Sequence, residues 1–341
     1  MTVDLGLTSD QEAIAELFDG FFSNESPTTI ARAAEPFGFD ADLWSKVIEL
    51  GAPGMGSAAE VGGGEASLSD LVVVAEAVGR SIAPIPLIEH LAALAVLDDA
   101  DLVAGSAIAT LALRPADADG LWRLVPAGVV ADVVVGVDGD DLVVVRSAPP
   151  MSGPRNHASA PLADRSARTG DRTVLGPASA FQPVIDRWKV LTSAALVGIA
   201  EAAQKLGVDY VMEREQFGVP VGSFQAVQHG LADLPVLIDG GRLLTHKAAW
   251  ALGRDESGIL DWRSNDITDG TALAAMAFVF TSDGAAVATD RSLHYHGGYG
   301  FAEEYDIQLY YRRARGWSLV LGDPTDECLA LSDRLYGPVE N

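Results

Sequence analysis

The chain has 341 residues, 48% of them hydrophobic, enough for a large core or several packed subdomains. Its 48 acidic against 23 basic side chains give a formal charge of −25. That disfavours nucleic acid and anionic lipid, whose phosphates are held by Lys and Arg. The single cysteine, Cys328, excludes an internal disulfide and a cysteine-built metal cage, and reads as a small buried apolar residue.

The opening "MTVDLGLTSDQEAIAELF" lacks the basic segment of a secretion signal. Apolar runs such as "ALAAMAFVF" fall short of the roughly 20 residues a membrane span needs. The expectation is a soluble cytoplasmic protein without membrane contact.

Three regions follow in chain order, predicting a mainly α fold with a small central β domain. Residues 1–105 read as a helical domain. "TSDQEAIAELFDGFF" offers Thr8 or Ser9 as N-cap and then Ile14, Leu17, Phe18 and Phe21 at helical spacing. "DADLWSKVIELG" repeats the pattern, with Leu43, Val47 and Leu50 on one face and Gly51 as C-cap. After the loop "AAEVGGGEAS", "SLSDLVVVAEAVGR" is another capped helix.

Residues 106–185 change character. "SAIATLAL", "WRLVPAG", "ADVVVGVDGDDLVVVRS" and "RTVLG" predict a small, mostly antiparallel sheet domain, with Asp138-Gly139 as the turn of a hairpin. "SAPPMSGPRNHASAPLADRSARTG" reads mostly as loop. Residues 186–341 return to helix as a bundle domain. "RWKVLTSAALVGIAEAAQKLGVDYVMERE" is apolar on more than one face, as an interior helix is. Further helices are predicted over 224–252, 267–295, 304–320 and 325–335.

Searches for GxGxxG after a strand, GxxxxGK[ST], HExxH and GxSxG find nothing. The six histidines lack metal-ligand spacing, so no metal site is expected. Two stretches remain. In "REQFGVPVGSFQAVQHGLAD", Arg214 offers a planar fork for phosphate oxygens, Phe217 a face for a base, and Gln225 both donor and acceptor. In "HYHGGYGFAEEY", which opens with His294, Gly297 and Gly298 let a backbone approach a ligand closely or simply end a helix. Together they suggest a nucleotide cofactor. The plain alternative for Arg214 and Phe217 is a surface ion pair and a core aromatic.

"YVMEREQFGVPVGSFQAVQHGLAD" resembles the signature of the acyl-CoA dehydrogenase family, Arg-x-x-Phe-Gly, a short loop, Phe-Gln, and later Leu-Ala-Asp. "HYHGGYGFAEEY" is similar to that family's Gln-x-His-Gly-Gly-x-Gly-Phe segment, and the order helix, sheet, helix agrees along essentially the whole chain. The resemblance implies a flavoprotein that removes the α and β hydrogens of an acyl-CoA thioester. A base, usually glutamate, takes the α proton while FAD accepts the β hydride. It also implies that Arg214 meets the FAD pyrophosphate, that Phe217 and Gln225 hold the adenosine half of a neighbour's FAD, and that Gly297 and Gly298 approach the same pyrophosphate. His294, standing where the family has Gln, would donate a hydrogen bond to a phosphate.

Two departures from the pattern carry weight. "LALRPADADGLWRLVPAGVVADVVV" shows neither of the family's flavin-ring segments. The usual glutamate position, counted from "RRAR", falls on Leu321. Asp255, Glu256 and Asp261 in "GRDESGILDW" are candidate relocated acids, each read first as a solvated loop residue, so the catalytic base stays unassigned. These losses resemble the smaller subunits of actinobacterial α2β2 acyl-CoA dehydrogenases that act on steroid side-chain CoA thioesters, where a partner subunit supplies the missing half. An electron-transfer flavoprotein or similar acceptor is the implied redox partner. A self-sufficient homotetramer with a relocated base, and a catalytically inactive structural subunit, stay open as alternatives.

Overall fold

The computed structural model describes residues 4–254 and 267–337. Asp255, Glu256 and Asp261 lie outside the described residues. The N-terminal helices are α1 (Ser9–Glu25), α2 (Thr28–Ala33), α3 (Ala41–Glu49), α4 (Leu68–Arg80), α5 (Leu87–Ala93) and α6 (Ala100–Val103). Their starts follow local hydrogen bonding. The Thr8 hydroxyl accepts from the Gln11 backbone N–H while the Gln11 amide oxygen accepts from Thr8 N–H, a reciprocal capping box. Asp40 accepts from Leu43 N–H at 2.8 Å, and Ser67 and Asp70 form a second box.

The sheet region contributes β1 (Ala109–Leu111), β2 (Leu121–Val125), β3 (Val133–Asp138), β4 (Asp141–Arg146), β5 (Ala163–Ser166) and β6 (Asp171–Pro177). One sheet has the order β1-β3-β4-β6, with β1 and β3 parallel and the other pairs antiparallel. β2 and β5 form a separate antiparallel ladder.

The C-terminal part comprises α7 (Gln182–Glu213), a short hairpin of β7 (Glu215–Gln216) and β8 (Val219–Pro220), then α8 (Gln225–Ala232), α9 (Leu234–Leu252), α10 (Gly270–Tyr295), α11 (Ile307–Ser318) and α12 (Pro324–Tyr336). α7 is the axle of the molecule, packing against α4, α5, α9, α10 and α11. That placement explains why its first half, from Lys189 to Ala200, is buried on all sides, while its second half carries exposed Lys205 and Asp209. Its crossing with α4 is closed by glycine. A Cβ on Gly79 would sit 1.9 Å from the Ala195 carbonyl oxygen, and one on Gly198 would sit 2.1 Å from that of Glu76.

Beside that crossing Glu76 accepts from Arg80 and Arg242, each at 2.8 Å, and Glu201 pairs with the same two guanidiniums at 2.7 and 3.1 Å. Arg80 also pairs with Asp19, so one network ties α1, α4, α7 and α9 together. α10 is long and apolar enough to match a membrane span by composition, but it packs against α7, α9, α11 and α12 as a core helix.

Four expectations are corrected. The β3–β4 register pairs Asp138 with Asp141, so the two-residue turn is Gly139-Asp140, with Gly139 supplying the positive φ of 64°. The segment read as loop contains β5, whose polar sequence hides a buried arginine. Arg165 is 5% exposed and donates to the carbonyls of Gly128, Ala131 and Ser147. The helix predicted over 224–252 is two helices, because Pro235 has no N–H to bond back into the preceding turn. Cys328 is exposed on α12, a helix with no buried residue.

Candidate cofactor site

At the end of α7 the chain leaves the helix at Arg214, whose backbone turns extended (φ −74°, ψ 122°). The β7–β8 register leaves Phe217 and Gly218 as the turn, both with positive φ, 57° and 80°. Paired positive φ is the geometry of a type I′ turn, which suits glycine but strains a bulky side chain. Phe217 is 96% exposed at the tip, its ring edge-to-face with Phe224 with centroids 6.4 Å apart. Val221 N–H donates to the Arg214 carbonyl at 2.7 Å, which returns the chain to the base of the hairpin. Gln225 is then the exposed first residue of α8.

The second stretch lies under the first. The Arg214 guanidinium carbon stands 5.9 Å from the centroid of the Tyr299 ring, and its charged head is in no hydrogen bond or ion pair with the described residues. Tyr299 leans on Tyr305, and Tyr210 stacks on His296 with centroids 4.1 Å apart. The His296 Nδ1–H donates to the Ser292 carbonyl at 2.7 Å, while burial holds the imidazole below its ordinary pKa and therefore neutral. His296 is thus part of the platform, whereas His294, two residues earlier, is exposed. Gly297, at φ 60°, ends α10. A Cβ on Gly297 or Gly298 would meet nothing within 4 Å, so nothing inside the described chain requires glycine at 298.

The structure brings Arg214 onto the turn that carries Gly297 and Gly298, and joins Arg214, Phe217 and Gln225 through the hairpin. The plain alternative does not hold among the described residues, where Arg214 has no ion pair and Phe217 is not in a core. An unpartnered guanidinium, an exposed aromatic and an open glycine backbone fit the pyrophosphate and base end of a dinucleotide.

The ring end is different. The segment after β1 is folded shut by Asp117, whose carboxylate accepts from the N–H groups of Asp119 and Leu121 and from Arg123. Leu321 packs against the core, and the nearest following acid, Asp323, caps α12 by accepting from Thr325 N–H at 2.9 Å. Neither position presents a free carboxylate.

Comparison with known proteins identifies the family. The description of the acyl-CoA dehydrogenase N-terminal domain matches residues 8–98, and that of the C-terminal domain matches residues 181–330. The chain belongs to the acyl-CoA dehydrogenase family. It is 30% identical to acyl-CoA dehydrogenase IpdE2 of Mycolicibacterium smegmatis over 96% of this chain and 97% of that one. Among solved structures it is similar to the Tcur3481-Tcur3483 steroid ACAD G363A variant, with 26% identity, TM-score 0.82, and coverage of 97% of this chain and 98% of that one. Its fold also matches a chain of the ChsE4-ChsE5 complex from Mycobacterium tuberculosis at 20% identity and TM-score 0.81, covering 99% and 100%. The protein is an oxidoreductase of this FAD-dependent family.

Sequence reasoning missed the aromatic platform of Tyr210, His296, Tyr299 and Tyr305, whose members come from α7 and from the segment between α10 and α11, far apart in sequence. It also missed Glu89 on α5, which lines a cavity together with Trp188 and Thr192 of α7. An acid inside the apolar run "PIPLIEHLAAL" was the available signal.

Proposed function

We propose that this chain is one subunit of a heteromeric acyl-CoA dehydrogenase, holding the nucleotide half of FAD while a partner subunit provides the ring contacts and the catalytic base. The carrying observation is the contrast between the two ends of the site. Arg214, Phe217, Gln225, Gly297 and Gly298 are exposed, and the Arg214 head is without an ion pair among the described residues, whereas Leu321 and the closed segment at Asp117 offer nothing to a flavin ring or an α proton.

Bound there, FAD supplies the two-electron sink for the hydride leaving the β carbon. Arg214 would neutralise the pyrophosphate, Phe217 and Gln225 would hold the adenosine half, and His294 would donate a hydrogen bond to a phosphate. The platform of Tyr210, His296 and Tyr299 holds the Arg214 head in place. In the cytoplasm, an electron-transfer flavoprotein or similar acceptor would reoxidise the complex.

The acyl group is proposed to be a steroid side-chain CoA ester. Support comes from the similarity to a steroid ACAD whose solved structure pairs two components.

Native mass measurement with a flavin absorbance spectrum tests the assignment, on the chain alone and after co-expression with a family member carrying both missing segments. The expected result is a colourless lone chain and an α2β2 complex with one FAD per heterodimer. A yellow, active protein from the lone chain overturns it in favour of a self-sufficient homotetramer. A complex whose flavin content ignores loss of Arg214 would make the chain a structural subunit.

A further inference from the structure

Arg187, near the start of α7, carries a half-buried guanidinium that makes no hydrogen bond or ion pair with the described residues, and its Nε–H is enclosed without an acceptor. Burial alone draws its pKa below the ordinary value, with no carboxylate nearby to hold it up. Other interior cations of this chain are matched. Arg313 meets Glu35 and the carbonyls of Ala31 and Leu309, and Arg165 meets those of Gly128, Ala131 and Ser147. On α7 itself Lys189 pairs with Glu327 at 2.6 Å. A charge withdrawn from water without a partner is costly, and a chain with 48 acidic side chains does not leave one for want of carboxylates.

The head of Arg187 reaches the loop between α3 and α4. A Cβ on Gly56 would stand 2.7 Å from Arg187 Nη2 and 2.8 Å from Leu71 Cδ1, so glycine is what admits the guanidinium there. Backbone bonds fix the loop around this point. The N–H groups of Ser57 and Gly64 both donate to the Gly54 carbonyl at 3.1 Å, and Ala66 N–H donates to that of Met55 at 2.7 Å. The N–H of Gly56 takes part in no such bond among the described residues. The next residue, Ser57, is 6% exposed, and its hydroxyl has no partner either. Buried donors in native proteins are seldom left in this state, and here they adjoin one another in sequence and against one cation.

The position is separate from the places already described. Arg187 is no part of the wall of the cavity lined by Glu89 and Trp188. Arg214 stands at the far end of the same helix, about 40 Å away at the helical rise.

We propose that this crook of the α3–α4 loop is an oxyanion site, taking phosphate, or more weakly a small carboxylate, between the Arg187 guanidinium and the Gly56 N–H, with the Ser57 hydroxyl beside them. Everything unmatched there is a donor, so an acceptor is what the place lacks. A planar fork matches two oxygens of one anion, and a phosphate dianion gains more from it than a monoanion does. Chloride offers no second atom to the fork, and a neutral ligand leaves the charge uncompensated. The inference does not rest on the heteromeric reading.

The test uses the full chain with inorganic phosphate as the probe and chloride at equal ionic strength as the control. Phosphate density beside Arg187 is expected in soaked crystals, and saturable line broadening in phosphorus NMR. The urea midpoint should rise with phosphate, less with acetate and not with chloride, because a ligand of the folded state stabilises it by mass action. Arg187→Met should weaken phosphate binding by about 10- to 100-fold, the equivalent of a charged hydrogen bond. The same variant should raise the midpoint in chloride, since the unpaired charge is gone. Arg187→Lys, which keeps the charge, should lose most of the phosphate response for want of the fork. Equal midpoints in phosphate and chloride, with no density beside Arg187, overturn the proposal, as does a phosphate response that survives in Arg187→Met.

Discussion

The Arg214 guanidinium carbon lies 5.9 Å from the centroid of the Tyr299 ring, joining the end of α7 to the glycine turn after α10 in a single chain. The ring fixes the direction of the charge without neutralising it, so the positive head remains available to an anion. In the assembled enzyme Arg214→Ala is expected to cut FAD retention by about 10- to 100-fold, the equivalent of a charged hydrogen bond worth about 1.5–3 kcal/mol. Flavin absorbance after gel filtration reads it directly. Arg214→Lys should recover only part, because an ammonium cannot match two phosphate oxygens with a planar fork.

At Phe217 stability and cofactor binding should move in opposite directions. The side chain is 96% exposed and its φ is 57°, so the free chain gains little from the ring and carries the strain of left-handed backbone. Asparagine tolerates that conformation. Phe217→Asn is expected to raise the unfolding free energy of the free chain by up to about 1 kcal/mol while lowering FAD retention in the complex. Chemical denaturation and flavin absorbance on the same preparations would show the split. A fall in both would mean that Phe217 supports the fold.

What the sequence disclosed depended on how local the physics was. Thr8, Asp40 and Ser67 cap helices through bonds to residues three positions away, so the pattern could be read directly. The Arg214–Gln225 stretch was legible for a similar reason, since one hairpin gathers its residues. Arg165 was opaque: its polar strand is explained only by carbonyls of Gly128, Ala131 and Ser147 that converge from elsewhere in the fold. Glu89 was opaque too, because spacing within an apolar run does not disclose that the opposite wall carries the Trp188 indole and the Thr192 hydroxyl. Cys328 was misjudged from the average behaviour of its residue type, although α12 lies on the outside of the bundle.

The network at the helix crossing supports a prediction about stability alone. Glu76 is shared by Arg80 and Arg242, its side chain is 10% exposed, and Glu201 is the further acid joining both. Glu76→Gln leaves two partly buried guanidiniums with less compensation. Breaking one side of a buried ion pair costs about 3–5 kcal/mol; discounted for the partial exposure of the two arginines, a loss of about 2–3 kcal/mol is expected in urea denaturation. Replacing the outlying Asp239, whose side chain is 67% exposed, should cost well under about 1 kcal/mol.

Glu89 also fixes the sign of a pH effect on folding. Burial raises its folded pKa from 4.5 to about 7, so between those values the native state keeps a proton that the unfolded chain releases. Stability contributed by this group is therefore present at acid pH, falls as pH climbs from about 4.5, and levels off above about 7. The span corresponds to roughly 3 kcal/mol for this one site. Other carboxylates act oppositely: Asp138 and Asp164, held below the ordinary range with the help of their arginine partners, lose stabilisation as pH falls. The site-specific part is isolated by the difference between wild type and Glu89→Gln, measured by urea denaturation at pH 5, 6, 7 and 8. That difference should shift in favour of Glu89→Gln as pH rises from 5 to 7 and change little between 7 and 8. A difference flat across the range would mean that the carboxyl is already ionised in the folded protein.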